Sequence, residues 1–226
     1  MALSVTTTAQ VTQGTDDVSS QNFTFTAASN TTCIVVGVSI RTNQGVSAMT
    51  WNGTAMTKEK ESTVGSSRYG TIWTIHAPVT GTKTLAITYT GTDRATVAFI
   101  PLTCTNATSS SGSAVERDAS APVDPQAASM ASTATDLGVA ICASGTSSDL
   151  GGTVTSDGGQ SRQLTGTVTG FRANIVADTK TGSGSTLTMG YSNSNTGDAE
   201  PFTCAGVSIA EAAGANKMLS LLGVGA

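Results

Sequence analysis

The chain has 226 residues, enough for one large all-β domain or two small ones. Only 12% are charged, about half the roughly 25% of an ordinary soluble domain. The net charge is −4 and there is no basic run, so the chain lacks the electrostatic footprint of phosphate-backbone binding, and nucleic acid is excluded as a partner.

Ser, Thr, Gly and Asn replace the charges, a composition that favours strands and tight turns. Leu3–Val11 and Gln21–Ala27 alternate and read as strands. In the second, Phe23 and Phe25 share one face, Thr24 and Thr26 the other. Ser29 and Asn30 mark a turn. Cys33–Ile40 is the strongest strand: Ile34, Val36, Val38 and Ile40 point one way, Cys33, Val35, Gly37 and Ser39 the other. Val46–Trp51 and Thr54–Thr57 form a hairpin around Asn52-Gly53, the strongest short hairpin signal. Lys58–Ser67 reads as a charged loop. Tyr69–His76 and Lys83–Tyr89 are expected to pair across PVTGT, and Ala95–Cys104 follows. Asn106–Ala134 is long for a structureless connection, so strands are expected near Ala114–Ser120 and Ala127–Thr133. Leu137–Ala143, Gln163–Thr167, Ala173–Thr179, Thr186–Tyr191 and Thr203–Ala210 complete the set. Only Ala210–Leu222 has a helical option, weakened by Gly214.

Two stretches resemble each other. Arg68–Thr105 and Phe171–Glu211 each run strand, Thr/Gly-rich turn, strand ending in an aromatic (Tyr89, Tyr191), polar loop, then an apolar strand with one Cys (Cys104, Cys204). The segments before them, Cys33–Gly45 and Leu137–Ser148, match too. Short strands with frequent turn signals and a long internal period predict an all-β, two-sheet antiparallel sandwich of jelly-roll type. It would occupy residues 1–210 as one domain. Its pseudo-repeat halves lie at about 23–105 and 136–210, linked by 106–135, with a short C-terminal arm over 211–226.

The four cysteines lack CxxC or CxH spacing, which argues against zinc and a thioredoxin-like site. Cys33 opens its strand and Cys104 closes the expected antiparallel neighbour. Cys142 and Cys204 sit on the matching pair of the second half. The expected bridges are Cys33–Cys104 and Cys142–Cys204. The alternatives are four small buried hydrophobes or bridges to a neighbouring subunit.

The chemistry-bearing residues have mostly bland readings. His76 is the single His; there is no GxSxG elbow and no Asp near it in its strand, so it reads as structural. The carboxylates Glu59/Glu61, Glu116/Asp118 and Asp198/Glu200 fall in expected loops, unlike the rigidly held pair of a glycosidase. Asn193, Asn195, Gly197, Asp198 and Glu200 loosely follow a calcium loop but lack its acidic density; an ordinary turn is expected. Trp51 and Trp73 read as core, with Trp51 partly exposed beside its turn. Sequons at Asn22, Asn30, Asn52 and Asn106 carry no weight in so Asn- and Thr-rich a chain. The tail differs: Met218, Leu219, Leu221, Leu222 and Val224 form an apolar cluster beyond the last strand, which either packs back or docks on another subunit.

MALSVTTTAQ has no basic region followed by an apolar run, and no stretch reaches the roughly 18 apolar residues of a membrane span. The expectation is a soluble chain made inside a cell; a virus particle released by lysis needs no export signal. The runs TCIVVGVSI, VSAMTWNGTAMT, TIWTIHAPVTGTKTLAITYTG and TVAFIPLT, then DLGVAICAS, QSRQL, STLTMGYSNS and FTCAGVSIAEA, resemble a widespread bacterial and phage jelly-roll module over roughly Phe23–Ala210. The resemblance implies a surface or virion protein without catalytic residues or cofactors. A tailed-phage capsid decoration (cement) protein is the leading expectation, located in the virion. Its partners would be capsid or neck subunits and further copies of itself as a homo-oligomer. A neck, collar or fibre component is the alternative, as is a cell-surface glycan-binding module using Trp51 and the loops Ser62–Ser67 and Thr146–Gln160.

Overall fold

The computed structural model describes residues 3–7, 12–13, 18–41, 45–64, 68–91, 96–118, 126–144, 153–168, 173–193 and 202–212. Among these residues every regular element is a strand. The first half holds β1 (Ser4–Thr7), β2 (Thr12–Gln13), β3 (Ser20–Ala27), β4 (Cys33–Arg41) and β5 (Val46–Trp51). It continues with β6 (Thr54–Ala55), β7 (Thr57–Val64), β8 (Arg68–His76), β9 (Gly81–Tyr89) and β10 (Thr96–Thr105). The second half holds β11 (Ala107–Asp118), β12 (Gln126–Ala131), β13 (Leu137–Ser144) and β14 (Val154–Ser156). Then come β15 (Ser161–Val168), β16 (Ala173–Thr181), β17 (Thr186–Asn193) and β18 (Phe202–Glu211).

They form four open antiparallel sheets. The β4 sheet runs β1-β10-β4-β8-β7, with β2 also on β10, and the β9 sheet runs β3-β9-β5-β6. The β13 sheet, β11-β18-β13-β16-β15, repeats the first order without a counterpart of β2. The β17 sheet, β12-β17-β14, repeats the second without a counterpart of β6. The internal repeat read from the sequence is therefore a repeat of topology.

Side-chain alternation fixes the stacking. Ile34, Val36, Val38 and Ile40 enter a core with Phe25, Trp51, Leu85 and Ile87 of the β9 sheet, while Cys33 and Val35 enter a second core with Val139, Ile141, Ala205 and Val207 of the β13 sheet. Within β13 the alternate residues Ala140 and Cys142 face a third core with Leu187, Met189 and Tyr191 of the β17 sheet. The layers thus stack as β9, β4, β13 and β17 sheets, and the two middle layers are buried on both faces. That burial explains the unbroken apolar runs of β4 and β13: a strand with water on one face would alternate with polar residues.

The expected single two-sheet sandwich is therefore corrected to two sandwiches packed back to back. At the seam between them a Cβ on Gly37 would lie 1.7 Å from Ile141 Cδ1. Only a residue without a side chain lets that isoleucine enter.

Three local readings also change. Tyr69–His76 and Lys83–Tyr89 do not pair: β8 joins the β4 sheet and β9 the β9 sheet, so PVTGT is an arch between layers. Ala77 takes φ 50° and Gly81 φ 88° where the chain turns out of one sheet and into the other. Lys58–Ser67 is not a loop; most of it is the edge strand β7. Residues 106–134 hold two strands as expected, but β11 begins at Ala107, directly after the crossover at Asn106 (φ 59°). The Asn52-Gly53 turn, with φ 49° and 80°, has the two left-handed residues of a type I′ hairpin.

Candidate functional site

The richest polar chemistry gathers where the chain passes from one sandwich to the other. Thr32 holds the crossing: its N–H donates to Cys104 O (2.8 Å), its carbonyl accepts from Ala77 N (2.8 Å), and its hydroxyl accepts from Ala107 N (2.7 Å). Beside this crossing, β7 is bulged against β8 between Lys58 and Lys60. The extra residue, Glu59, is thereby aimed differently from its neighbours. Its Oε1 accepts from Thr74 Oγ1 and from Ser110 Oγ (2.7 Å), and Ser110 Oγ lies 3.2 Å from His76 Nε2. Strands β7, β8 and β11 are tied by this one network.

A serine, a histidine and a glutamate in contact invite comparison with a nucleophilic triad, yet the order is inverted. Ser110 gives its proton to Glu59, so the contact with His76 places the imidazole proton on Nε2, donating to Ser110. The His76 Nδ1 that a triad carboxylate would hold has no partner among the described residues. The chain of donors runs His76 to Ser110 to Glu59 and serves to hold a carboxylate at the seam. Burial lowers the His76 pKa, with the Glu59 charge acting in the opposite direction.

The cysteines lie on the two inner sheets. Cys142 and Cys204 are cross-strand partners on β13 and β18, 4.2 Å apart at Cα, and form a disulfide. Cys33 and Cys104 are likewise partners on β4 and β10, but both are free thiols, fully buried. The expected Cys33–Cys104 bridge is thus absent from the structure. The pairs are also not equivalent. Leu137 opens β13 as Cys33 opens β4, and its β18 partner is Ile209, so Leu137–Ile209 occupies the place of Cys33–Cys104. The bridge itself corresponds to Val38–Phe99 in the first half. The disulfide faces the β17 sheet; the dithiol faces the seam.

A second polar centre caps the β13–β17 sandwich. Asp178, fully buried, accepts from Arg162 Nε (2.7 Å), and Arg162 also reaches Val154 O (3.2 Å) and Ser156 Oγ (3.1 Å). Tyr191, buried beside this carboxylate with its hydroxyl 3.5 Å from Ala140 O, has its phenol pushed well above the usual value, first by burial and then by Asp178. A cleft of about 260 Å³ opens between β1 and the second sandwich, lined by Val5, Leu137, Ser161, Gln163 and Lys180 among others. Gln163 donates within this wall to Thr179 (2.8 Å) and Lys180 to Thr188 O (2.9 Å), so much of its polar lining is already engaged.

The remaining sequence candidates are placed as follows. Trp51 is fully buried, corrected from partly exposed: its Nε1 donates to Val79 O (2.7 Å) and its ring stacks on Phe25 at 4.2 Å between centroids. It is no sugar platform. Trp73 is core, with Lys58 Nζ 5.2 Å from its ring centre. Glu59 and Glu61 lie on β7, where a loop was expected, and Glu116 and Asp118 on β11, within the strand expected near Ala114–Ser120. Asp198 and Glu200, most of the Asn193–Glu200 turn, residues 65–67 and 146–152, and Met218, Leu219, Leu221, Leu222 and Val224 lie outside the described residues. Among the described residues no group of three or more His, Cys, Asp or Glu is placed to hold a metal, and no helix is long and apolar enough to cross a membrane. Sequence reasoning missed Ser110, Asp178 and Arg162. Asp178 directly follows the apolar run Ile175–Ala177 within its strand, which was the available signal.

Comparison with family models, curated proteins and solved structures finds no match to this chain.

Proposed function

We propose that the chain is a non-enzymatic structural protein of a virus particle, most directly a capsid decoration (cement) protein of a tailed phage. The observation that carries this reading is the strand order. With the two-residue strands β2 and β6 set aside, in each half the inner sheet sets the first and last strands side by side next to the third (β1-β10-β4-β8; β11-β18-β13-β16), and the outer sheet takes the second, next-to-last and fourth (β3-β9-β5; β12-β17-β14). This order supports reading each half as a jelly roll, an architecture used by capsid and lectin domains, with β7 and β15 set on the inner sheet. Fold analogy alone does not give function. Its support here is that, among the described residues, both tryptophans and the apolar side chains of the two inner sheets are buried in internal packing, as suits a rigid load-bearing block. Neck, collar or fibre placement rests on the same features.

The test is to purify intact particles and measure copy number. Stoichiometric incorporation is expected, and absence from particles would end the reading. A chain lacking Met218–Ala226 should keep its melting temperature but lose incorporation. Loss of folding would assign the arm to the core instead.

A further inference from the structure

We infer that Cys33 and Cys104 form a conditional cross-link, closed by a low-molecular-weight disulfide, that clamps the crossover between the two sandwiches.

The two residues face each other across β4 and β10, the same antiparallel cross-strand relation that the bridged Cys142 and Cys204 have across β13 and β18. From these register-paired positions both side chains project into the same core at the seam. Closing the bond therefore requires side-chain rotation, with no rearrangement of strands. What separates the two pairs is their surroundings. Cys142–Cys204 lies within one sandwich. Cys33 and Cys104 line the seam, and Cys104 precedes the crossover at Asn106 by two residues. Thr32, next to Cys33, binds both Cys104 O and Ala107 N. A bond between the two sulfurs would thus fix the point through which the chain enters the second sandwich.

The chemistry balances as a thiol–disulfide exchange. One cysteine, as thiolate, attacks a sulfur of the small disulfide, giving a mixed disulfide and one small thiol. The second thiolate then attacks the protein sulfur of that mixed disulfide and expels the second small thiol. The protein loses two electrons and two protons, and the small disulfide gains both.

The neighbouring Cys104 thiol and then burial push the Cys33 pKa up, and neither cysteine is exposed in the closed fold. Reaction therefore waits on local opening. The short strand β1, whose Val5 is the register partner of Cys104, is the piece whose fraying exposes the pair from the sheet edge.

The full chain is incubated with oxidised glutathione, quenched in acid, denatured, alkylated and mapped by mass spectrometry. Expected is a Cys33–Cys104 cross-linked peptide replacing two alkylated ones, with Cys142–Cys204 unchanged. Hydrogen exchange around Thr103–Thr108 should then slow several-fold, and a Cys33→Ala/Cys104→Ala variant that still carries Cys142–Cys204 should show no such response. Two results overturn the inference. One is both cysteines still alkylated after a time that fully oxidises the denatured chain. The other is a stable glutathione adduct on either cysteine, which would show that the second sulfur cannot reach the first.

Discussion

The two sandwiches share one topology and fill it differently. The first is packed with large side chains: Phe25, Met49, Trp51, Trp73 and Tyr89 meet the branched residues of β4. The second, with one fewer strand in its outer sheet, encloses Ala128, Ala140, Met130, Met189, Val154 and Tyr191 around the Cys142–Cys204 bridge. Its rim also carries the buried Asp178 and its Arg162 partner. Volume stabilises the first interior, since each aromatic removes 150–250 Å² from water. A covalent tie takes over part of that role in the second, where it restricts the unfolded chain. The same strand order therefore tolerates either solution, and the seam, which borrows from both, makes one body of them.

Breaking the first solution should cost the most. Trp51→Ala removes the largest fully buried side chain and orphans Val79 O; about 3–5 kcal/mol of stability is expected to be lost in denaturant titration. The unfolding should remain a single transition; two well-separated transitions would mean that the seam does not couple the halves. Cys142→Ala/Cys204→Ala opens a loop between residues 62 apart, and about 2–4 kcal/mol should disappear. An unchanged midpoint would show that the second interior is held by packing alone. The smallest effect concerns the seam itself. The fold lowers the His76 pKa, so the native state holds fewer protons there than the unfolded chain, whose imidazole titrates near ~6.5. Stability from this group is complete above that pH and falls as pH drops through it. His76→Gln should flatten that part of the pH–stability curve, and an unchanged slope would relieve His76 of the role.

Much of the architecture was legible because local signals and tertiary placement agree. In β4 both faces are apolar and both are buried; at Asn52-Gly53 the residues demand the turn they make. Sheet membership was not legible. PVTGT joins two strands with hairpin-like composition, yet its ends enter different layers, a decision made by where Trp73 and Leu85 find partners. The charge on β7 suggested solvent because an edge strand with a bulge keeps most of its charges outward while turning Glu59 inward. Trp51 looked exposed from its proximity to the turn, whereas strand alternation sends it to the core. The cysteines misled in another way. They match by strand but differ by one face of the pleat, and a period of two hides that difference until the register is known.

Ile141 seated in the space left by Gly37 acts as a dowel. One slab cannot glide along the other without first lifting that peg out of its hole, and a lateral step would bring it against side chains instead of bare backbone. Shear along this plane is thereby opposed by shape, and parting by the apolar core and the polar network that span it, so a load applied to one face is passed to the other.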